Sequence, residues 1–250
     1  MIDLMTGVMP ASRSYLSRVE ALLTSAIRAA EPNIAAAGAL IAECFARDGI
    51  LYVFGSGHSH IFAEEAFYRA GGAARICPIL QPDYMLHVSA RHSTELERES
   101  GLAPPLLDRY AMSADDVLLV VSNSGANSLP VEVAETARER GIPVVAITSV
   151  AYASASSQRG ARLHDVADIV LDNQCPPGDA LVALRDDLPR VGPGSSVVGL
   201  ALLNAVIVEA LARQVGRGQT PDIYLSAGMP HAAQHNAETA ERFSGRIPHL

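Results

Sequence analysis

Short, largely apolar runs alternate with helical stretches along most of this chain, and three of them end in loops of small polar residues. Residues 49–55 (Gly-Ile-Leu-Tyr-Val-Phe-Gly) form the first run, 74–80 the second, 115–121 the third, 143–148 the fourth and 169–171 a short fifth. Helices are predicted between them at residues 61–70, stopped by Gly71-Gly72, and at 129–140, ended by Gly141. Strands alternating with helices specify βαβ units and a parallel sheet. Strands with no polar face specify a sheet covered on both sides.

The flanks are helical. Over residues 14–47 apolar side chains recur at helical spacing, and Pro32 is expected to end one segment and start another. Residues 84–110 form an excursion with helical pieces near 94–99 and 104–110. Residues 175–194, rich in Pro and Gly, are expected to hold a small hairpin around 180–184. Residues 195–215 read as a helix apolar nearly all round, which another element or another chain must cover. Ser195 and Ser196 are expected to cap it, at a helix start that favours anions. A polar last helix is expected at about 230–243. With no linker or repeat, the 250 residues read as one domain. A helical segment (about 1–48) precedes its sheet and a helical extension (about 220–250) follows it.

Composition removes several chemistries. All 19 basic residues are arginine, so lysine Schiff bases and a lysine-bearing nucleotide loop are excluded. A net charge of −8 without a basic run argues against nucleic acid as a partner. Asn204 and Glu209 interrupt the longest apolar run, and no basic, apolar leader opens the chain. No membrane association and a cytoplasmic location are expected. Three scattered cysteines suggest neither a disulfide framework nor a metal site. His58, His60, His87 and His92 are weak evidence for zinc, and no metal or cofactor is expected.

The loops carry the chemistry. Gly55-Ser56-Gly57-His58-Ser59-His60 joins a strand to a helix, where backbone N–H groups favour an anion. It is not a dinucleotide fingerprint, because His60 stands where the third glycine belongs. The third strand runs into Ser122-Asn123-Ser124-Gly125-Ala126-Asn127-Ser128, and the fourth into Thr148-Ser149. Three strand ends thus bring hydroxyls to the carboxyl edge of one sheet, the usual ligand crevice of an open α/β fold. Hydroxyls and amides hold a phosphate without a lysine.

This succession of a Gly-x-Gly-x-Ser loop, a Ser-x-Ser-Gly loop and Ile-Thr-Ser resembles the sugar isomerase (SIS) domain over residues 35–212. The first loop, with Ala-Glu-Glu, Tyr-Arg-Ala-Gly-Gly and a tail of Tyr-Leu-Ser-Ala-x-Met-Pro and His-Asn, resembles a stand-alone SIS subgroup. The resemblance implies a three-layer, doubly wound, five-stranded parallel sheet of flavodoxin-like order. It also implies a homodimer and a sugar phosphate as ligand. Family phosphate ligands fall on Ser59, Ser122 and Ser124; the family's threonine falls at Asn127, beside Ser128. Ser56, Gly57, His58, Asn123, Thr148 and Ser149 complete the expected binding set.

Aldose–ketose isomerisation through an enediol needs a base and a group to handle the sugar oxygens. Glu65, in the Ala-Glu-Glu that resembles that of the heptose isomerases, is the expected base. The competing reading makes Glu64 or Glu65 an ion-pair partner of Arg69 or Arg75. His235, next to Asn236, is expected to reach a neighbour's crevice; the competing reading leaves it a surface or capping histidine. A non-catalytic phosphosugar sensor, and a lyase or etherase on an amino sugar phosphate, are the alternatives.

Overall fold

In the computed structural model, which describes residues 10–158 and 160–250, the apolar runs become strands. The elements are α1 (Ala11–Ala46), β1 (Leu51–Gly55), α2 (Ile61–Ala66), β2 (Ile76–Ile79), α3 (Leu86–Leu96), α4 (Ala103–Leu107) and β3 (Val117–Val121). Then follow α5 (Ser128–Glu139), β4 (Val144–Thr148), α6 (Val150–Ala155), α7 (Leu163–Val166) and β5 (Ile169–Asp172). Last come β6 (Ala180–Val182), β7 (Val191–Pro193), α8 (Ser195–Gly216) and α9 (Ala232–Glu241). β1 to β5 form one parallel sheet in the order β2-β1-β3-β4-β5, the flavodoxin-like order that was expected.

The pleat sends alternate residues to opposite faces. Leu51, Val53, Leu119, Val121, Val145 and Ile147 join the cluster beneath α1, α2 and α8. Tyr52, Phe54, Leu118, Val120, Val144 and Ala146 join the cluster beneath α4, α5 and α7. Both faces are therefore covered, and the molecule has three layers. α8 is long and apolar enough to cross a membrane by length and composition, at 22 residues. Here its Val198, Leu202, Leu203 and Val206 are buried in the first cluster instead.

Several expected boundaries move. Pro32 does not divide the N-terminal helix: α1 runs through it for 36 residues. Ala26, Ala30, Ala37 and Ile41 are buried against the core on either side of it, and Asn33 Nδ2 donates to the Val170 carbonyl. Tertiary packing outweighs the lost hydrogen bond. The helix expected at 61–70 stops at Ala66, with Phe67 extended and Tyr68 left-handed (φ 43°). The chain turns there because 71–74 pairs with the tail: Gly71 N and Ala74 N donate to the Tyr224 and Asp222 carbonyls. The helical piece expected near 94–99 lies earlier, at Leu86–Leu96, with Ser89 non-helical inside it. The hairpin expected around 180–184 pairs β6 with β7, across a longer turn.

The third run was expected from residue 115, but β3 begins at Val117. Asp116 is fully buried and serves as a junction. Its carboxylate accepts from Ile50 N just before β1, from Ser113 N and Oγ, and from Arg246. Arg246 also donates to the carbonyls of Asp48 and Ala111. Removing one partner of a buried pair leaves an uncompensated charge, typically at about 3–5 kcal/mol. Because Arg246 is a third exposed, water recovers part of that. Arg246→Ala is expected to lose about 2–3 kcal/mol in urea unfolding, and Arg246→Lys clearly less. Equal losses for the two variants would show that the charge at this position is irrelevant.

Candidate functional site

The carboxyl edge of the sheet holds a cavity of about 210 Å3. Its wall comes from four places. The loop after β1 supplies His58 and Ser59, with Phe62 from α2; β3 and its loop supply Val121 and Asn123. The segment after β5 supplies Asn173, Asp179 and Pro193, and the first turn of α8 supplies Ser195 and Ser196.

Each strand end is fixed by local hydrogen bonding. After β1 the chain makes a 3-10 turn at Gly57–His60, opened by Gly57 at φ 56°, with Ser59 N donating to the Ser56 carbonyl. Ser56 is buried beneath it. After β3 the chain closes on itself: Gly125 N donates to Ser122 Oγ. Gly125 is left-handed (φ 55°), and a Cβ there would lie 2.5 Å from Thr148 Oγ1. Only glycine fits both constraints. Thr148 Oγ1 is buried without a hydrogen-bond partner among the described residues. Ser149 is also buried; its Oγ caps α6 by accepting from Tyr152 N and donates to the Cys175 carbonyl.

Two residues then join the strand ends. Asn173, buried at the end of β5, donates its amide to Asn123 Oδ1 and accepts from Cys175 N. Asp179, in a left-handed conformation (φ 66°), accepts from Gly194 N and Ser195 N through Oδ1 and from Ser195 Oγ through Oδ2. Asp179 therefore caps α8. Ser195 and Ser196 were expected in that role, but Gly194 is the N-cap and both serines lie inside the helix. Burial pushes the thiols of Cys44, Cys77 and Cys175 up to about 12, so they stay protonated and unreactive at neutral pH.

The structure thus brings His58, Ser59 and Asn123 together at one wall and leaves other expected residues elsewhere. Ser122 and Ser124 share the Asn123 loop but are not among the cavity-lining residues. Asn127 and Ser128 line a separate hollow together with Glu132 and Glu135, where the carboxylates oppose an anion. Glu65 is ion-paired with Arg69 and within hydrogen-bonding distance of Asn204 Nδ2 (3.5 Å), away from the cavity wall. His235 donates Nε2–H to the Ile223 carbonyl, while Asn236 both accepts from Leu225 N and donates to its carbonyl. Within one chain these two clamp the tail. His60 contacts the Gly57 carbonyl through Nδ1 and faces Glu64 through Nε2. Among the described residues, no cluster of three or more His, Cys, Asp or Glu could hold a metal ion.

Sequence reasoning missed Asn173, Asp179 and Pro193. Asn173 carried a usable signal, since it follows β5 as Ser122 follows β3 and obeys the same strand-end rule. Asp179 and Pro193 reach the wall only through the β6–β7 pairing. Asn173→Ala would strip Asn123 Oδ1 and Cys175 N of their partner. A loss of about 1–3 kcal/mol in thermal or urea unfolding is expected, because buried polar groups are left unpaired. A loss near zero would mean that water replaces the amide.

Comparison with known proteins places this architecture. The family model described as "SIS domain" matches residues 14–149, more than half of the chain. A UPF0309 protein from Brucella anthropi is 46% identical over 223 residues, covering 89% of this chain and 91% of the relative. One from Brucella canis is 47% identical over 211 residues, covering 84% and 87%. Among solved structures, a phosphoheptose isomerase from Francisella tularensis superposes with a TM-score of 0.54 at 16% identity, over 79% of this chain and 95% of that one. Another from Neisseria gonorrhoeae gives 0.52 at 18% identity, over 80% and 97%. Those two likenesses are of fold. By the family match and the curated relatives together, this chain belongs to the SIS domain family, among its UPF0309 members.

Proposed function

We propose that this protein binds a phosphorylated sugar in the cavity at the sheet edge and interconverts its aldose and ketose forms through an enediol. The observation that carries the reading is the cavity wall itself. Ser59, Asn123, Asn173, Ser195 and Ser196 place hydroxyls and amides around one small space at the carboxyl ends of parallel strands. A volume of about 210 Å3 is below the roughly 300–1,000 Å3 typical of drug-sized ligands and suits a small metabolite. SIS membership and the fold shared with two proteins named phosphoheptose isomerases support the same ligand class. In this reading the phosphate sits between Ser59 and the turn at residues 122–125.

Proton transfer is assigned to Glu65, which one chain alone does not bring to its own cavity. Support comes from α8. Its outward stripe of Val197, Ala201, Val208, Ala212 and Val215 is partly or fully exposed. The stripe begins beside the cavity residues Ser195 and Ser196 and passes Asn204, the neighbour of Glu65. A second copy seated on it would adjoin both, so the reading includes a homodimer in which His235 also belongs to the shared surface. Light scattering at micromolar concentration is expected to show at least a dimer, and Val208→Glu is expected to dissociate it. A wild-type monomer would remove Glu65 from the mechanism.

The chemistry is tested by solvent exchange. A thermal-shift screen of sugar phosphates is expected to raise the melting temperature, and the stabilising ligand to take up deuterium from solvent at carbon. Glu65→Gln should abolish exchange with affinity nearly unchanged. Exchange that survives in Glu65→Gln moves the base elsewhere. Binding without exchange in the wild type identifies a sensor.

A further inference from the structure

The cavity is lopsided in charge. The wall from the loops after β1 and β3 offers a hydroxyl, an amide and the imidazole of His58. The wall from the segment after β5 offers the carboxylate of Asp179. The two walls meet where Asn173 donates to Asn123 Oδ1, while Asp179 lies on the other side of Asn173 in the chain, bonded to Ser195 at the α8 end of the cavity. Among the described residues no arginine lines the cavity.

The start of α8 is where an anion would otherwise settle. Here the first amides, Gly194 N and Ser195 N, already donate to Asp179 Oδ1, and Ser195 Oγ donates to Oδ2. The chain's own carboxylate fills that position. Its backbone is left-handed at φ 66°, uncommon for a residue other than glycine, and this holds the side chain at the cavity edge. Oδ1 already accepts two hydrogen bonds but Oδ2 accepts one, so Oδ2 can accept from a ligand hydroxyl or ammonium while Asp179 still caps the helix. A second anion beside it meets like-charge repulsion in a confined space.

We propose that Asp179 fixes the polarity and class of the ligand. The phosphate lies against the Ser59 and Asn123 wall, and a hydroxyl or amino end lies against Asp179. The cavity then accepts monophosphates of neutral or amino sugars and rejects sugar acids and bisphosphates. This rests on the sugar-phosphate reading above and adds the residue that selects within it.

The test is calorimetric titration of wild type and Asp179→Asn with three probes: glucose-6-phosphate, 6-phosphogluconate and sorbitol. The second probe carries a carboxylate at the end remote from phosphate, and the third carries no phosphate. Wild type is expected to prefer the sugar phosphate to the sugar acid phosphate by about tenfold or more, and Asp179→Asn to narrow that ratio by about tenfold, as expected for a charged contact. The ratio is independent of the fraction folded, so a merely weakened helix cap leaves it unmoved. An unchanged ratio, or no preference in the wild type, overturns the role of Asp179 and leaves the sugar-phosphate reading standing. Binding of sorbitol alone, weakened in Asp179→Asn, sinks the sugar-phosphate reading and keeps the role of Asp179. If no probe binds the wild type at millimolar concentration, both fall.

Discussion

The carboxylate of Asp116 ties together three parts of the chain that lie far apart in sequence. It is buried between the start of β1, the turn before β3 and the last residues of the protein. β1 and β3 are the paired central strands, and their opposite ends carry the Ser59 and Asn123 loops. An unpaired carboxylate here would carry a large desolvation cost, so the C-terminal Arg246 is part of the core's electrostatics although it lies far along the chain. Phe243 and Ile247 are buried around it, and the Arg75 guanidinium stacks over the Phe243 ring. The tail is a closing piece of the sheet's amino edge rather than an appendage.

At the carboxyl edge a second carboxylate has the corresponding role. Asp179 joins the segment after β5 to the first turn of α8, and Asn173 joins β5 to the β3 loop. The cavity is therefore held by side chain to backbone bonds between loops whose own turns are closed locally, as at Ser122 and Gly125. Such a wall is set before any ligand arrives, which limits the ordering that binding must pay for.

How much of this was legible follows from what kind of physics fixes each part. The five strands and their enclosure by helices were readable because apolar runs such as Leu51–Gly55 report burial on both faces directly. The strand-end loops were readable because glycine and serine there have local reasons to occur. Pro32 misled because a local rule was outweighed by packing of α1 along its length. The expected helix to residue 70 failed because the pairing of Ala73 with Ile223 joins positions far apart in sequence. Glu65 sits in a helix of the expected place, but its direction depends on Arg69 and Asn204, which spacing alone does not rank above the crevice. Asp179 lay hidden for a similar reason: its role exists only once β6 and β7 have paired.

That pairing has a consequence for how the chain tolerates change. Val182 pairs with Val191, and residues 183–190 between them are all exposed. Asp179 lies before the pair and Pro193 within it, so both cavity residues are positioned from below the tip. The entropy of closing a loop rises only slowly with its length. The tip can therefore lengthen, shorten or carry a foreign peptide while the wall beneath keeps its shape, which makes it a natural place for relatives to diverge and for a reporter to be inserted.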